Sequence, residues 1–298
     1  MRIATAQYQS NMNQSLQLNQ ERLSKLTQQM AEGKRLLLPS DDPIDSVRMS
    51  RLQREEAALT QYRDNIATVK IRLAKTETYL GSMVNDIAAG RDLIVFALDG
   101  SNSPDDLQAL ISPLESLRRS LLDTANTRDD EGNYIFSGTA TSTKPIEETK
   151  PGYEYKGNDK KQQVVVGNGL TTEANTDMAD IVGLLKAIDN TIDKLRSDKR
   201  NANDPGTGAV LLENLNSFDG ALKDISGKIA VLGGNQNILD TLAANHANVS
   251  LSNQMAITDI GQLDMGVAAT ELNGYSTALQ AAYKAYGRIS NLSLFSAL

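Results

Sequence analysis

The residues that could carry chemistry in this chain are few. His246 is the single histidine, and imidazole is the side chain that titrates unperturbed near neutral pH, so it is the first candidate for a general base or a metal ligand. It lies in a polar helical stretch, where a surface or packing role is the better reading. Asp41 and Asp42 are adjacent carboxylates and could be read as a general acid/base pair, but Asp42 precedes Pro43. A carboxylate there accepts from the free N–H groups of a starting helix, and proline fits the first helical position. Gly167-Asn168-Gly169 and Gly233-Gly234 suggest phosphate loops, yet neither follows a strand and opens a helix with Lys-Ser/Thr. The first reads as a turn and the second as the C-cap of a helix. Cysteine is absent, which removes disulfides, thiolate nucleophiles and cysteine-ligated metals together. No catalytic, cofactor-binding or metal-binding residue is assigned.

The totals point the same way. A net charge of −7 and a pI near 4.9 oppose nucleic-acid binding, which needs a basic face. Lys34-Arg35 and Lys160-Lys161 read as ordinary solvated charges. With 40% hydrophobic residues the 298-residue chain can build a core, but aromatics are only 4% and Trp is absent. That mixture suits helical rods and interfaces better than an enzyme with a deep apolar pocket. No window is long and apolar enough to span a membrane, and the N-terminus has no secretory h-region. If the protein leaves the cell, the expected route uses no cleaved apolar signal.

The main helical element carries one heptad register from Leu52 to Ala97. Leu52, Leu59, Ile66, Leu73, Leu80, Ile87 and Ile94 occupy one seam position. Glu55, Tyr62, Val69, Thr76, Met83, Gly90 and Ala97 occupy the other. Only such a spacing keeps one stripe against a partner as helices supercoil. From Pro43 to Leu98 this helix would extend about 80 Å.

Residues 1 to about 38 read as a polar helix with a thin seam of Met12, Leu16, Leu23, Leu26 and Met30, marginal without a partner. Ser103-Pro104-Asp105-Asp106 restarts helix by a capping pattern, continuing through Leu107, Leu110, Leu114, Leu117 and Leu121 with a bend at Pro113. From about 134 to 175 the pattern turns β-prone, with Tyr134-Ile135-Phe136, Tyr153-Glu154-Tyr155 and Gln162 to Val166 as strand segments. Helix returns at Met178, Ile181, Leu185, Ile188, Ile192 and Leu195. A further heptad helix runs from Leu211 to Leu232 and closes at Gly233-Gly234. The last helical region starts near Asn235 and changes seam register around Ile260 to Met265. The predicted fold is mainly α: a long coiled-coil rod built from N- and C-terminal segments, with a small central α+β or β insertion.

Glu32-Gly33-Lys34-Arg35 followed by Ser40-Asp41-Asp42-Pro43, together with Asn19 to Leu26, resembles the flagellin superfamily. Gly132-Asn133-Tyr134-Ile135-Phe136-Ser137-Gly138-Thr139, Tyr275 to Tyr283 and Leu292-Ser293-Leu294-Phe295 narrow the likeness to its hook-filament junction members. The resemblance implies a structural subunit of the bacterial flagellum without catalysis, extracellular and exported through the flagellar type III path. It implies self-assembly in a ring or tube, the first hook-filament junction protein, flagellin and an export chaperone as partners, and no nucleic acid or membrane. It implies layers: 1–42 with 256–298 as the terminal coiled coil lining the tube, 43–133 with 205–255 as the helical rod, and 134–204 as the outer insertion. On this reading Met12, Leu16, Leu23, Leu26 and Met30 meet Leu272, Tyr275, Leu279, Tyr286 and Ile289 in the assembled tube. Two alternatives stand beside it: the filament subunit flagellin itself, and a non-flagellar coiled-coil adaptor.

Overall fold

The computed structural model describes residues 2–150, 152–197, 201 and 203–295. It is 72% helical. Among the described residues, seven helices and two hairpins follow in chain order: α1 (Arg2–Glu32), α2 (Pro43–Ala97), α3 (Pro104–Ala109), α4 (Ile111–Ala125), β1 (Ile146–Thr149), β2 (Gly152–Tyr155), β3 (Gln163–Gly167), β4 (Leu170–Glu173), α5 (Ile181–Arg196), α6 (Pro205–Gly261) and α7 (Met265–Phe295). The mainly α class with a small central β insertion is as the patterning predicts. The chain divides into two compact units, one of residues 1–58 with 248–298 and one of residues 59–247.

The larger unit is organised by the heptad seam of α2. Ile66, Val69, Leu73, Leu80, Met83, Ile87 and Ile94 are all buried, against Leu114 and Leu121 of α4 and Leu211, Phe218, Ile225, Leu232 and Leu239 of α6 in one continuous core. Period-3.5 spacing placed these side chains on one stripe, and burial of that stripe stabilises the helices. The capping signals act as expected: Asp42 Oδ1 accepts from the Asp45 N–H at 3.1 Å, and Ser103 with Asp106 closes a reciprocal capping box at the start of α3.

Four local expectations are corrected. Gly233-Gly234 does not cap a helix, because α6 runs unbroken from Pro205 to Gly261. Two interior glycines cost about 1 kcal/mol each, less than the burial of the flanking Leu232 and Leu239 returns. The break expected there falls at Gln262 to Asp264 instead, where the heptad register changes. Pro113 produces an interruption rather than a bend: lacking an N–H, it cannot bond the Ala109 carbonyl, and the ladder lapses at Leu110, which keeps helical φ and ψ of −73° and −17°. The helix expected from Met178 begins at Ile181. Tyr134-Ile135-Phe136 is no strand, since only an isolated bridge joins Tyr134 to Arg128.

The insertion is two separate antiparallel hairpins. β1 pairs β2 with Ile146 opposite Tyr155 and Thr149 opposite Gly152. β3 pairs β4 with Gln163 opposite Glu173 and Gly167 opposite Leu170, and a register shift between Val165 and Gly167. Neither hairpin is stable by itself, and side-chain amides tie both in. Asn126, at the end of α4, donates to the Ile146 carbonyl (3.1 Å) and accepts its N–H (3.0 Å), acting as a short substitute strand. Asn175 accepts the Gln162 N–H at 2.7 Å. Lys228 of α6 reaches Asp177 and Asp180 at 2.9 Å each, and Lys161 joins Asp177 at 2.8 Å.

Candidate subunit-assembly interface

The candidate catalytic residues have structural duties. His246 Nε2–H donates to the Val166 carbonyl at 2.8 Å, and its ring lies 5.7 Å from that of Tyr62. It packs β3 onto α6 and α2. Asp41 Oδ2 accepts from the Leu37 and Leu38 N–H groups at 3.0 Å each, while its other oxygen pairs with Lys25 at 2.6 Å. The Lys25 ammonium, helped by those backbone donors, holds the Asp41 carboxyl at about 2. A carboxylate fully engaged in closing its own turn is not a general base. Gly169 takes a φ of +71° in the β3–β4 turn, so the Gly167-Asn168-Gly169 stretch is a hairpin loop.

The surface that remains is the helix pair of the smaller unit. α1 packs along α7 within the same chain. Leu26 and Leu279 are buried, at 6% and 7% exposure, and Ala268, on the same α7 register as Leu272 and Leu279, joins them at 2%. Met12, Leu16, Leu23, Met30, Leu272 and Tyr275 are only half-buried. Tyr286 is 37% exposed. Ile289 lies in the α7 backbone, with its side chain outside the described residues. The ten residues expected at an interface are thus divided: two complete the chain's own seam, and seven retain open apolar surface.

Large apolar residues off the heptad seam add to that surface: Tyr8 and Leu18 on α1 and Tyr283 on α7, all exposed. Heptad reading passed over them because it keeps only seam positions; the available signal was their presence in helices otherwise made of Gln, Asn, Ser and Ala. Charge is nearly missing here. α1 has no ionisable residue between positions 3 and 20 except Tyr8, and α7 carries only Glu271, Lys284 and Arg288 as formal charges. A long, half-covered pair of helices, free of formal charge over positions 3–20 of α1 and carrying three charges on α7, is chemically suited to further helices of the same kind, where few charges must be desolvated.

The likeness to known proteins follows the same lines. Residues 3–141 match the bacterial flagellin N-terminal helical region. Flagellar hook-associated protein 3 of Escherichia coli (strain K12) is 31% identical, the alignment covering 99% of each chain. The protein of that name from Salmonella typhimurium is 28% identical over the same shares. Among solved structures, a Vibrio parahaemolyticus protein described as flagellar hook-associated superposes with a TM-score of 0.69 at 30% identity, covering 74% of this chain and all of that one. An end-to-end alignment of this identity is decisive: the chain belongs to the flagellar hook-associated protein 3 family and is a structural component of the bacterial flagellum.

Proposed function

We propose that the chain is the subunit of a ring or short tube that joins hook to filament, the surface on which flagellin polymerises. The observation that carries this reading is the α1–α7 pair, which is long, sparsely charged and covered on only part of its surface. Met12, Leu16, Leu23, Met30, Leu272, Tyr275 and Tyr286, with Tyr8, Leu18 and Tyr283, meet the same helices of neighbouring copies, and that contact supplies the apolar area a lone pair lacks. Residues 1–42 and 256–298 form the inner layer, 43–133 with 205–255 the layer outside it, and 134–204 the outward insertion. The first junction protein lies on the hook side, flagellin on the filament side, and an export chaperone holds the chain before passage through the flagellar channel without a cleaved signal. The role involves no catalysis, cofactor or metal.

Complementation tests it. Cells lacking their own hook-associated protein 3 receive this chain or its Tyr283→Asp variant. The parent restores filaments and swimming. The variant is exported and folded but absent from isolated flagella, because an unpaired carboxylate would be buried between copies. Incorporation of the variant at the parent's level refutes the interface, and failure of the parent to restore filaments refutes the function.

A further inference from the structure

We infer that the α1–α2 turn and the α6–α7 turn form a single clasp, closed by Arg35, which makes the two terminal helices order together. The reasoning starts from helix ends. The last carbonyls of a helix have no partner within it and need donors from elsewhere. At the end of α6 those donors come from a residue 225 positions earlier: Arg35 Nε donates to the Ile260 carbonyl at 3.1 Å. The Arg35 backbone N–H donates to the Gly261 carbonyl at 2.8 Å. The exchange runs both ways, since the Leu263 N–H donates to the Gly33 carbonyl at 3.1 Å, with Lys34 opposite Gln262 in an antiparallel bridge. Gly33 adopts a φ of +66°, a conformation that costs glycine little and a side-chain-bearing residue considerably more.

Arg35 is anchored for this task on its other sides. Its guanidinium also binds Asp42, at 3.4 Å, and Asp45, while its carbonyl accepts Gln29 Nε2 at 2.5 Å. One residue therefore ties the end of α1, the start of α2 and the end of α6. Directly after Leu263, Asp264 Oδ1 accepts the Gly266 and Val267 N–H groups at 2.8 and 3.1 Å, capping α7. Opening the clasp removes donors from the end of α6 and frees the turn that starts α7, although the altered residue lies beside α1. The guanidinium matters through its fork: a lysine would keep the charge but cannot reach both the carboxylates and the Ile260 carbonyl.

The clasp does not depend on the assembly reading. Its test is amide hydrogen exchange of the full chain, comparing the parent with Arg35→Ala, Arg35→Lys and Lys25→Ala. Arg35→Ala is expected to speed exchange about tenfold at Leu263 and along both α1 and α7, with α4 unchanged as the sign of an intact larger unit. Arg35→Lys restores part of the protection. Lys25→Ala breaks an ion pair that joins α1 to the α1–α2 turn and leaves Leu263 and α7 at the parent's rates. Parent-like exchange at Leu263 and α7 in Arg35→Ala overturns the clasp. Equal acceleration of α7 by Lys25→Ala also overturns it, since the coupling would then run through the α1–α7 seam.

Discussion

Gly90 is the position where sequence propensity and packing make opposite predictions. It occupies a seam position of α2 and is buried against α4 and α6. A β-carbon added there would stand 2.3 Å from Leu117 Cδ2 and 2.5 Å from Phe218 Cε1, with Phe218 Cζ at 3.1 Å. Replacing an interior helical glycine by alanine should gain about 1 kcal/mol from the backbone. Against this, the Phe218 ring is fully buried, so it can swing only by displacing close-packed neighbours. Overpacking of a close-packed core costs about 1–3 kcal/mol, and here two groups must move at once, which places the cost at the upper end. The net expectation for Gly90→Ala is a loss of about 1–2 kcal/mol, or a fall of about 3–6 °C in Tm for a unit of this size. Gly81 is the control: it lies on the same helix with nothing within 4 Å of its added β-carbon, so Gly81→Ala should gain about 0.5–1 kcal/mol. Urea and thermal melts followed by far-UV circular dichroism measure both. A double-mutant cycle with Phe218→Leu should show that the pair costs less than the sum of its members. If Gly90→Ala is as stabilising as Gly81→Ala, propensity governs the site and the packing argument is wrong.

Three further outcomes follow from particular residues. Burial raises the Asp177 carboxyl, but hydrogen bonds from Lys161 and Lys228 outweigh it and hold the group at about 2, against an ordinary 3.8. A depressed carboxyl contributes stability above its unfolded value and loses it as pH falls through the folded one. About 2 kcal/mol should therefore disappear between pH 4 and pH 2, and denaturant melts of Asp177→Asn should lack that part of the acid slope. Asn126→Ala leaves the N–H and carbonyl of Ile146 without their partners and should cost about 1–3 kcal/mol, with amide exchange accelerated first in β1 and β2. Gly138 has a φ of +69°, and a β-carbon there would lie 2.1 Å from the Asn158 carbonyl oxygen. Gly138→Ala combines strain with a clash against backbone, so it should destabilise by about 2 kcal/mol or more, measured by thermal melting.

Sequence and structure agree where a capping side chain or a repeat held over many turns fixes the element. The α2 seam from Ile66 to Ile94, the Asp42-Pro43 start and the Ser103 capping box were legible, because each depends on residues within a turn or two or on a repeat held over many turns. The terminal helices were legible as a thin seam with a polar remainder, and within the single chain Leu26 and Leu279 of that seam are buried. Gly233-Gly234 was misleading: glycine is a stop signal only when nothing rewards continuing, and Leu232 and Leu239 reward it through contacts that no local pattern displays. β1 escaped notice for a similar reason, since Ile146-Glu147-Glu148-Thr149 has one apolar residue and is held by Asn126, twenty positions away.

By itself the sequence determined the helical class, the buried stripe of α2 and the caps at Asp42 and Ser103, because composition, periodicity and short-range hydrogen bonding are properties of neighbouring residues. Tertiary structure alone decided which of the α1–α7 residues are consumed within the chain and which are left open, where α6 ends, and that Arg35 completes a helix 225 positions away. Those outcomes depend on which groups are desolvated together. Desolvation is fixed by the three-dimensional path of the chain rather than by the order of its residues.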